Sequence, residues 1–212
     1  MSRSDSSAKV VEAFKAIRNE ISLDSPEDDV RNRLIKYFVE GTLGFRGKDY
    51  IAEKNRTDIR IYDETHNLVL VIVETKNPSV DLSQKRWQDQ AFGYSDAFTK
   101  FVVLTNGWRL VLWRRANRSK PIVDLDFEAI LTQKRFTSEL LTASEKAQVA
   151  SLWELTKDNL WSESKYADFT VSEKADISQD VGFHLLIEKR LRLFSVAAEG
   201  SLGGFPVQAL AR

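Results

Sequence analysis

The stretch TDIRIYDETHNLVLVIVETK, residues 57–76, decides the fold. Thr57–Asp63 alternates, with Ile59 and Ile61 on one side and Asp58 and Arg60 on the other, which is the pattern of a half-buried strand. Leu68–Thr75 is almost wholly apolar and rich in Val and Ile, as a strand covered on both faces should be. Glu64-Thr65-His66-Asn67 supplies the turn between them. With that turn centred on His66, residues whose numbers sum to 132 face each other, so Asp58 lies opposite Glu74. Directly opposed residues of an antiparallel pair have Cβ atoms about 4.5–5.5 Å apart on one face. Lys76, two residues beyond Glu74, projects to that same face.

Working outward, Tyr50–Glu53 reads as a further short strand. Upstream, Ser25-Pro26-Glu27 is a helix start, with Ser as cap and Pro in the first turn. This helix is predicted to run to about Glu40 with Val30, Leu34 and Phe38 on one face, and Gly41 and Gly44 end it. Ala8–Ile21 is predicted as a helix on the spacing of Val11, Phe14 and Ile17, after a disordered segment 1–7. Downstream, Asn77-Pro78 breaks the strand, and Asp81–Phe98 reads as a helix with Trp87, Ala91, Tyr94 and Phe98 on one face. Phe101–Thr105 and Trp108–Trp113 follow, joined by Asn106-Gly107, a strong hairpin signal. From about Asp126 strand signals fade, and helical stretches are expected near 127–131, 138–160 and 172–198, before a loose apolar tail. The order predicts an α/β fold with a mixed central sheet flanked by helices, followed by a helical extension. It divides into an N-terminal helix (1–24), a core (25–131) and an extension or connector (132–212).

Composition narrows the chemistry. Lys+Arg and Asp+Glu are equal at 31 each, which argues against a protein that coats nucleic acid with uniform positive charge but allows local basic patches. With no cysteine, disulfides, zinc–thiolate sites and a thiol nucleophile are excluded. Two histidines, His66 and His184, make a multi-histidine metal site improbable. They read as a turn residue and a helix-face residue. The polar N-terminus has no signal-peptide core, and the longest apolar run, Leu68–Val73, is far too short to span a bilayer. The expectation is a cytoplasmic protein with no membrane segment.

Asp58 and Glu74 thus meet at the end of a buried strand pair, with Lys76 beside them. Two desolvated carboxylates that close repel each other by several kcal/mol unless a cation neutralises them. Magnesium, or manganese, suits such a hard oxygen pair and keeps coordination positions for water and phosphate oxygens. A bound water acidified in this way can attack phosphorus, with Lys76 orienting it or stabilising the developing charge.

Asp58-x15-Glu74-Thr75-Lys76 resembles the signature of the PD-(D/E)XK nuclease superfamily, with Thr57 standing where the family name has Pro. Gln90-Ala91-Phe92-Gly93-Tyr94 is similar to the QxxxY motif of one branch, and Leu104-Thr105-Asn106-Gly107-Trp108 to that branch's "TNG" hairpin. The branch holds the nuclease domains of type I restriction enzyme R subunits and of fused type IIG restriction-modification enzymes. The resemblance covers roughly residues 25–115. It implies a magnesium-dependent DNA endonuclease, with Asp58, Glu74, Lys76 and Gln90 catalytic and Asp58 and Glu74 on the metal. Glu27, in a segment (Glu27-x3-Arg31-x2-Leu34-Ile35) similar to the family's first helix, is implied as a further metal ligand. The Gln90/Tyr94 helix would touch DNA.

Lys85 and Arg86, which open that helix, and Arg114 and Arg115, in a basic cluster with Arg118 and Lys120, are candidates for DNA phosphates. Glu53 reads as a strand-edge charge near the site, and Trp87, Trp108 and Trp113 as core. No GxxxxGK[ST] loop for ATP, no NPPY-like S-adenosylmethionine methylase motif and no target-recognition domain is seen. Sequence specificity is therefore expected from other domains or subunits (methyltransferase, specificity or translocase), engaged through 132–212, with two copies meeting for double-strand cleavage. The chain reads as the nuclease part of a larger restriction enzyme or as a small stand-alone protein. The alternative is a non-catalytic DNA-binding or assembly module that retains the nuclease fold.

Overall fold

The computed structural model describes residues 3–54, 57–132 and 140–162. The expected helix over 172–198, His184 and the tail lie outside the described residues, which all fall within one unit, Met1–Asp168.

The chain begins with α1 (Arg3–Glu20), which starts before the expected Ala8, so residues 3–7 are helical rather than disordered. α2 (Glu27–Leu34) passes directly into a π-helical turn, Ile35–Glu40. Val30, Leu34 and Phe38 are buried as their spacing requires. The cap differs from expectation. Pro26 holds the N-cap position, and the Ser25 hydroxyl instead accepts the backbone N–H of Ser22 at 2.8 Å, which closes the preceding turn. Three acids (Glu27, Asp28, Asp29) fill the first turn of α2, where the helix dipole favours negative charge.

Six strands then form one sheet in sequence order: β1 (Tyr50–Lys54), β2 (Thr57–Tyr62), β3 (Val69–Thr75), β4 (Phe101–Thr105), β5 (Arg109–Arg114) and β6 (Val123–Asp126). Every neighbouring pair is antiparallel except β3 and β4, which are parallel and joined through α3 (Lys85–Gly93). The sheet is therefore mixed, as expected. β6 is the strand that patterning missed, because its four residues VDLD carry too short an alternation to stand out.

β2 and β3 hold the predicted register, with Ile59 facing Val73, Arg60 facing Ile72 and Ile61 facing Val71. It slips between Ile61 and Tyr62, where Tyr62 faces Val69. The slip comes from the turn, which winds around Asp63. One Asp63 carboxylate oxygen accepts the N–H groups of Asn67 and Leu68, both at 2.8 Å, while His66 adopts a left-handed φ of 61°. The irregularity sits at the turn end and leaves the Asp58 end of the ladder unshifted.

Period-two alternation assigns the sheet faces. Ile59, Ile61, Val71, Val73, Val103, Leu110, Leu112 and Leu125 join one large core with α1, α2 and α4 (Phe127–Thr132). Ile72, Leu104, Val111 and Trp113 face the other way, toward Trp87 and Phe92 of α3 and the flanking Leu82 and Tyr94. α3 is shorter than the predicted Asp81–Phe98. Asp81 folds a turn before it by accepting the N–H and hydroxyl of Ser83, and Asp96 gathers the N–H groups of Phe98 and Thr99 after it. Phe98 therefore leaves the helix face and packs on the large core instead.

Residues 140–162 also build that core. The expected helix over 138–160 is broken into α5 (Ala143–Ser151), a 3-10 turn Leu152–Leu155 and α6 (Lys157–Leu160). Leu141, Val149, Leu152, Leu155 and Leu160 are buried in the large core. Lys157 clamps this segment by donating its N–H to the Leu43 carbonyl at 2.9 Å and its ammonium to buried Asp49 at 2.8 Å. Trp161 Nε1 adds a bond to the Tyr62 carbonyl at 2.9 Å.

Candidate active site

The free end of the β2–β3 pair carries the site. One step beyond Ile59 and Val73 the register sets Asp58 opposite Glu74, on the face turned toward α3. Asp58 Oδ2 accepts the backbone N–H of Thr75 at 2.6 Å, so the carboxylate is anchored to the neighbouring strand. Lys76 Nζ donates to Glu74 Oε1 at 2.6 Å, and both side chains are buried. The sequence thus brings Asp58, Glu74 and Lys76 together as the spacing demanded.

Glu74 is the residue under electrostatic load. Burial, joined by the nearby Asp58 charge and opposed by Lys76, pushes its carboxyl up to about 7. Its second oxygen, Oε2, is buried without a hydrogen-bond partner. An orphaned carboxylate oxygen carries a desolvation cost that a cation or a donor from a substrate can remove.

α2 reaches the same end of the sheet from its first turn. Glu27 Oε1 lies 3.7 Å from Lys76 Nζ, which gives Lys76 two acidic neighbours. Arg31, one helical turn on, was a sequence feature without an assigned role. Its buried guanidinium lies 3.5 Å from Asp58 Oδ1 and 3.1 Å from Asp28, and it also hydrogen-bonds Glu53. Among the described residues no group of three or more His, Cys, Asp or Glu side chains forms a ready-made metal cage. What exists is a carboxylate pair, with Glu27 turned to Lys76. A pair is the number magnesium uses when it keeps several waters and takes the rest from phosphate. Hard oxygen donors and the orphaned Glu74 Oε2 fit such an ion.

Trp87, read from sequence as core, has Lys76 as a neighbour. Lys76 Nζ sits 5.1 Å from the centre of its ring, within cation–π range, and Arg86 covers the ring at 4.3 Å. Gln90 Nε2 donates to the Tyr94 hydroxyl at 3.1 Å, which uses the one-turn spacing. Tyr94 stands at the helix C-cap and packs near Ile72. Lys85 and Arg86 are exposed at the start of α3.

Arg114 and Arg115 are placed elsewhere. Arg114 pairs with Phe101, at the opposite end of the β4–β5 ladder from the Leu104 that faces Glu74. At about 3.3 Å per residue this separates it from the carboxylates by roughly 10 Å along the strand. Its guanidinium is engaged with Glu154 at 2.6 Å. Arg118, from the same basic cluster, pairs with Asp89 of α3.

Residues 26–127 match the family model described as the type I restriction enzyme R protein N terminus. No curated protein and no solved structure matches the chain.

Proposed function

We propose that this chain, whose residues 26–127 match the type I restriction enzyme R protein N-terminal family model, is the DNA-cleaving part of a restriction enzyme. In this reading it hydrolyses phosphodiester bonds with magnesium, and sequence specificity comes from other domains or subunits. The observation that carries it is the meeting of Asp58, Glu74 and Lys76 at one strand end, with an orphaned Glu74 oxygen.

Asp58 and Glu74 would hold the ion, and Glu27 is near enough to adjust its surroundings through Lys76. The ion supplies Lewis acidity toward phosphate and a lowered pKa for water. Thr75 N–H fixes Asp58 so that the carboxylate does not reorient on binding. Lys76, pinned between Glu74, Glu27 and the Trp87 ring, presents a donor to the attacking water or to a phosphate oxygen. Lys85 and Arg86 lie on the exposed start of the helix that flanks the site and suit the DNA backbone. Residues 132–212, part of which fills the large core, would also engage the partner domains.

The test is cleavage of supercoiled plasmid with magnesium, by the full chain and by the chain joined to its partner subunits. Wild type is expected to nick, while Asp58→Ala and Lys76→Ala lose at least about a hundredfold in rate, as removal of preorganised charge at a reacting phosphate generally does. Nicking by both variants at the wild-type rate overturns the site assignment. No metal-dependent nicking in either format overturns the enzyme reading.

A further inference from the structure

Asp58 has a competitor for its carboxylate. Oδ2 is taken by the Thr75 N–H, whereas Oδ1 faces Arg31 Nη1 at 3.5 Å, an ion-pair distance beyond an ordinary hydrogen bond. The Arg31 side chain is 9% exposed, so its charge is poorly screened by water. On its other side the guanidinium bonds Glu53, and Asp28 lies at 3.1 Å. Glu53 holds an unusual backbone state. Its φ is 56°, and it drops out of the β1–β2 ladder between Ala52–Ile59 and Lys54–Thr57, at the slot that faces Asp58. A non-glycine residue in the left-handed region is strained and persists where surrounding contacts impose it.

We propose that Arg31 is a resident counter-ion for Asp58 that competes with a divalent cation for this carboxylate, and that Glu53 limits the competition by holding the guanidinium from the far side. The proposal rests on reading Asp58 and Glu74 as the cation site. Arg31 then acts as a positioning residue that sets how much free metal the site needs. A guanidinium stays charged at all working pH values, so the competition is permanent. Breaking its two sides has opposite consequences. Loss of the Arg31 charge removes repulsion toward an incoming cation and leaves three acids uncompensated. Loss of the Glu53 charge leaves Arg31 more fully to Asp58 and removes one attractive charge.

The experiment is titration of the full chain with manganese, reading free Mn2+ by electron paramagnetic resonance, without DNA. Arg31→Met is expected to bind Mn2+ more tightly, on the order of tenfold, and Glu53→Gln more weakly by about threefold, from the sign of the charge removed at short range. Asp58→Asn is expected to lose binding. A contact that merely orients Asp58 gives the opposite sign for Arg31, so weaker or unchanged binding by a folded Arg31→Met overturns the proposal. If that variant shows no cooperative thermal unfolding, Glu53→Gln decides alone, since the Glu53 side chain is 62% exposed and its loss leaves the core intact. Unchanged or tighter binding by Glu53→Gln then overturns it. Mn2+ binding by Asp58→Asn equal to wild type, or none by wild type, shows that the cation-site reading itself has failed and takes this inference with it.

Discussion

Glu74→Gln isolates the electrostatic load on the site. Lifting a carboxyl from its ordinary 4.5 to about 7 corresponds to roughly 3 kcal/mol, at about 1.4 kcal/mol per pH unit. In the unfolded chain Glu74 ionises near its ordinary value, whereas in the native protein it keeps its proton until about 7. Between those values the native state binds more protons than the unfolded state, so stability falls as pH rises. The contribution of Glu74 is therefore most favourable below about 4.5 and is lost as pH rises through about 7. Glutamine has nearly the same shape and does not titrate. The attraction of Lys76 is already contained in the folded value of about 7, so its loss in the variant adds no separate pH dependence. Urea unfolding of the metal-free wild type and variant at about pH 5 and about pH 8 measures the effect. The stability of Glu74→Gln relative to wild type is expected to rise by about 2.5 kcal/mol over that interval, because part of the shift lies below pH 5, a midpoint change of roughly 1–2 M urea. A difference that stays flat with pH refutes the claim that Glu74 is desolvated and short of donors.

Two further predictions concern the frame that positions the site. Gly107 has φ +84°, and a Cβ there would lie 2.5 Å from Ile21 Cδ1, so Gly107→Ala is expected to lose about 1–3 kcal/mol in denaturant unfolding through both strain and overpacking. Truncation after Thr132 removes Leu141, Val149, Leu152, Leu155 and Leu160 from the large core. At about 1.5–3 kcal/mol for each buried side chain, the loss is on the order of 10 kcal/mol, comparable to the whole stability of a domain. The fragment is expected to show no cooperative unfolding transition by circular dichroism, and a cooperative one refutes the core assignment.

The sequence by itself determined the strand pair and its register. The alternation of Asp58, Ile59, Arg60 and Ile61 against an apolar partner run leaves one pairing that buries Ile59 and Ile61, and a one-residue slip would expose them. Asp58, Glu74 and Lys76 were legible for the same reason, because their neighbourhood follows from local periodicity along two adjacent strands. Gln90 and Tyr94 were legible through the QxxxY resemblance, and helical spacing set them one turn apart. Helix ends were less so, since the side chains of Asp81 and Asp96 redirect the backbone before and after α3 in ways that apolar spacing does not register. Tertiary structure decided the rest. The ion pair of Arg31 with Asp58 spans elements whose approach is set by the packing of Val30 and Leu34 in the core, and the cation–π contact of Lys76 with Trp87 by the seating of α3 on the opposite sheet face. Arg114 illustrates the converse, since strand direction carried it to the far end of the sheet. Local pattern states which side of a strand a residue faces, and only the packing of distant segments states which charge it meets there.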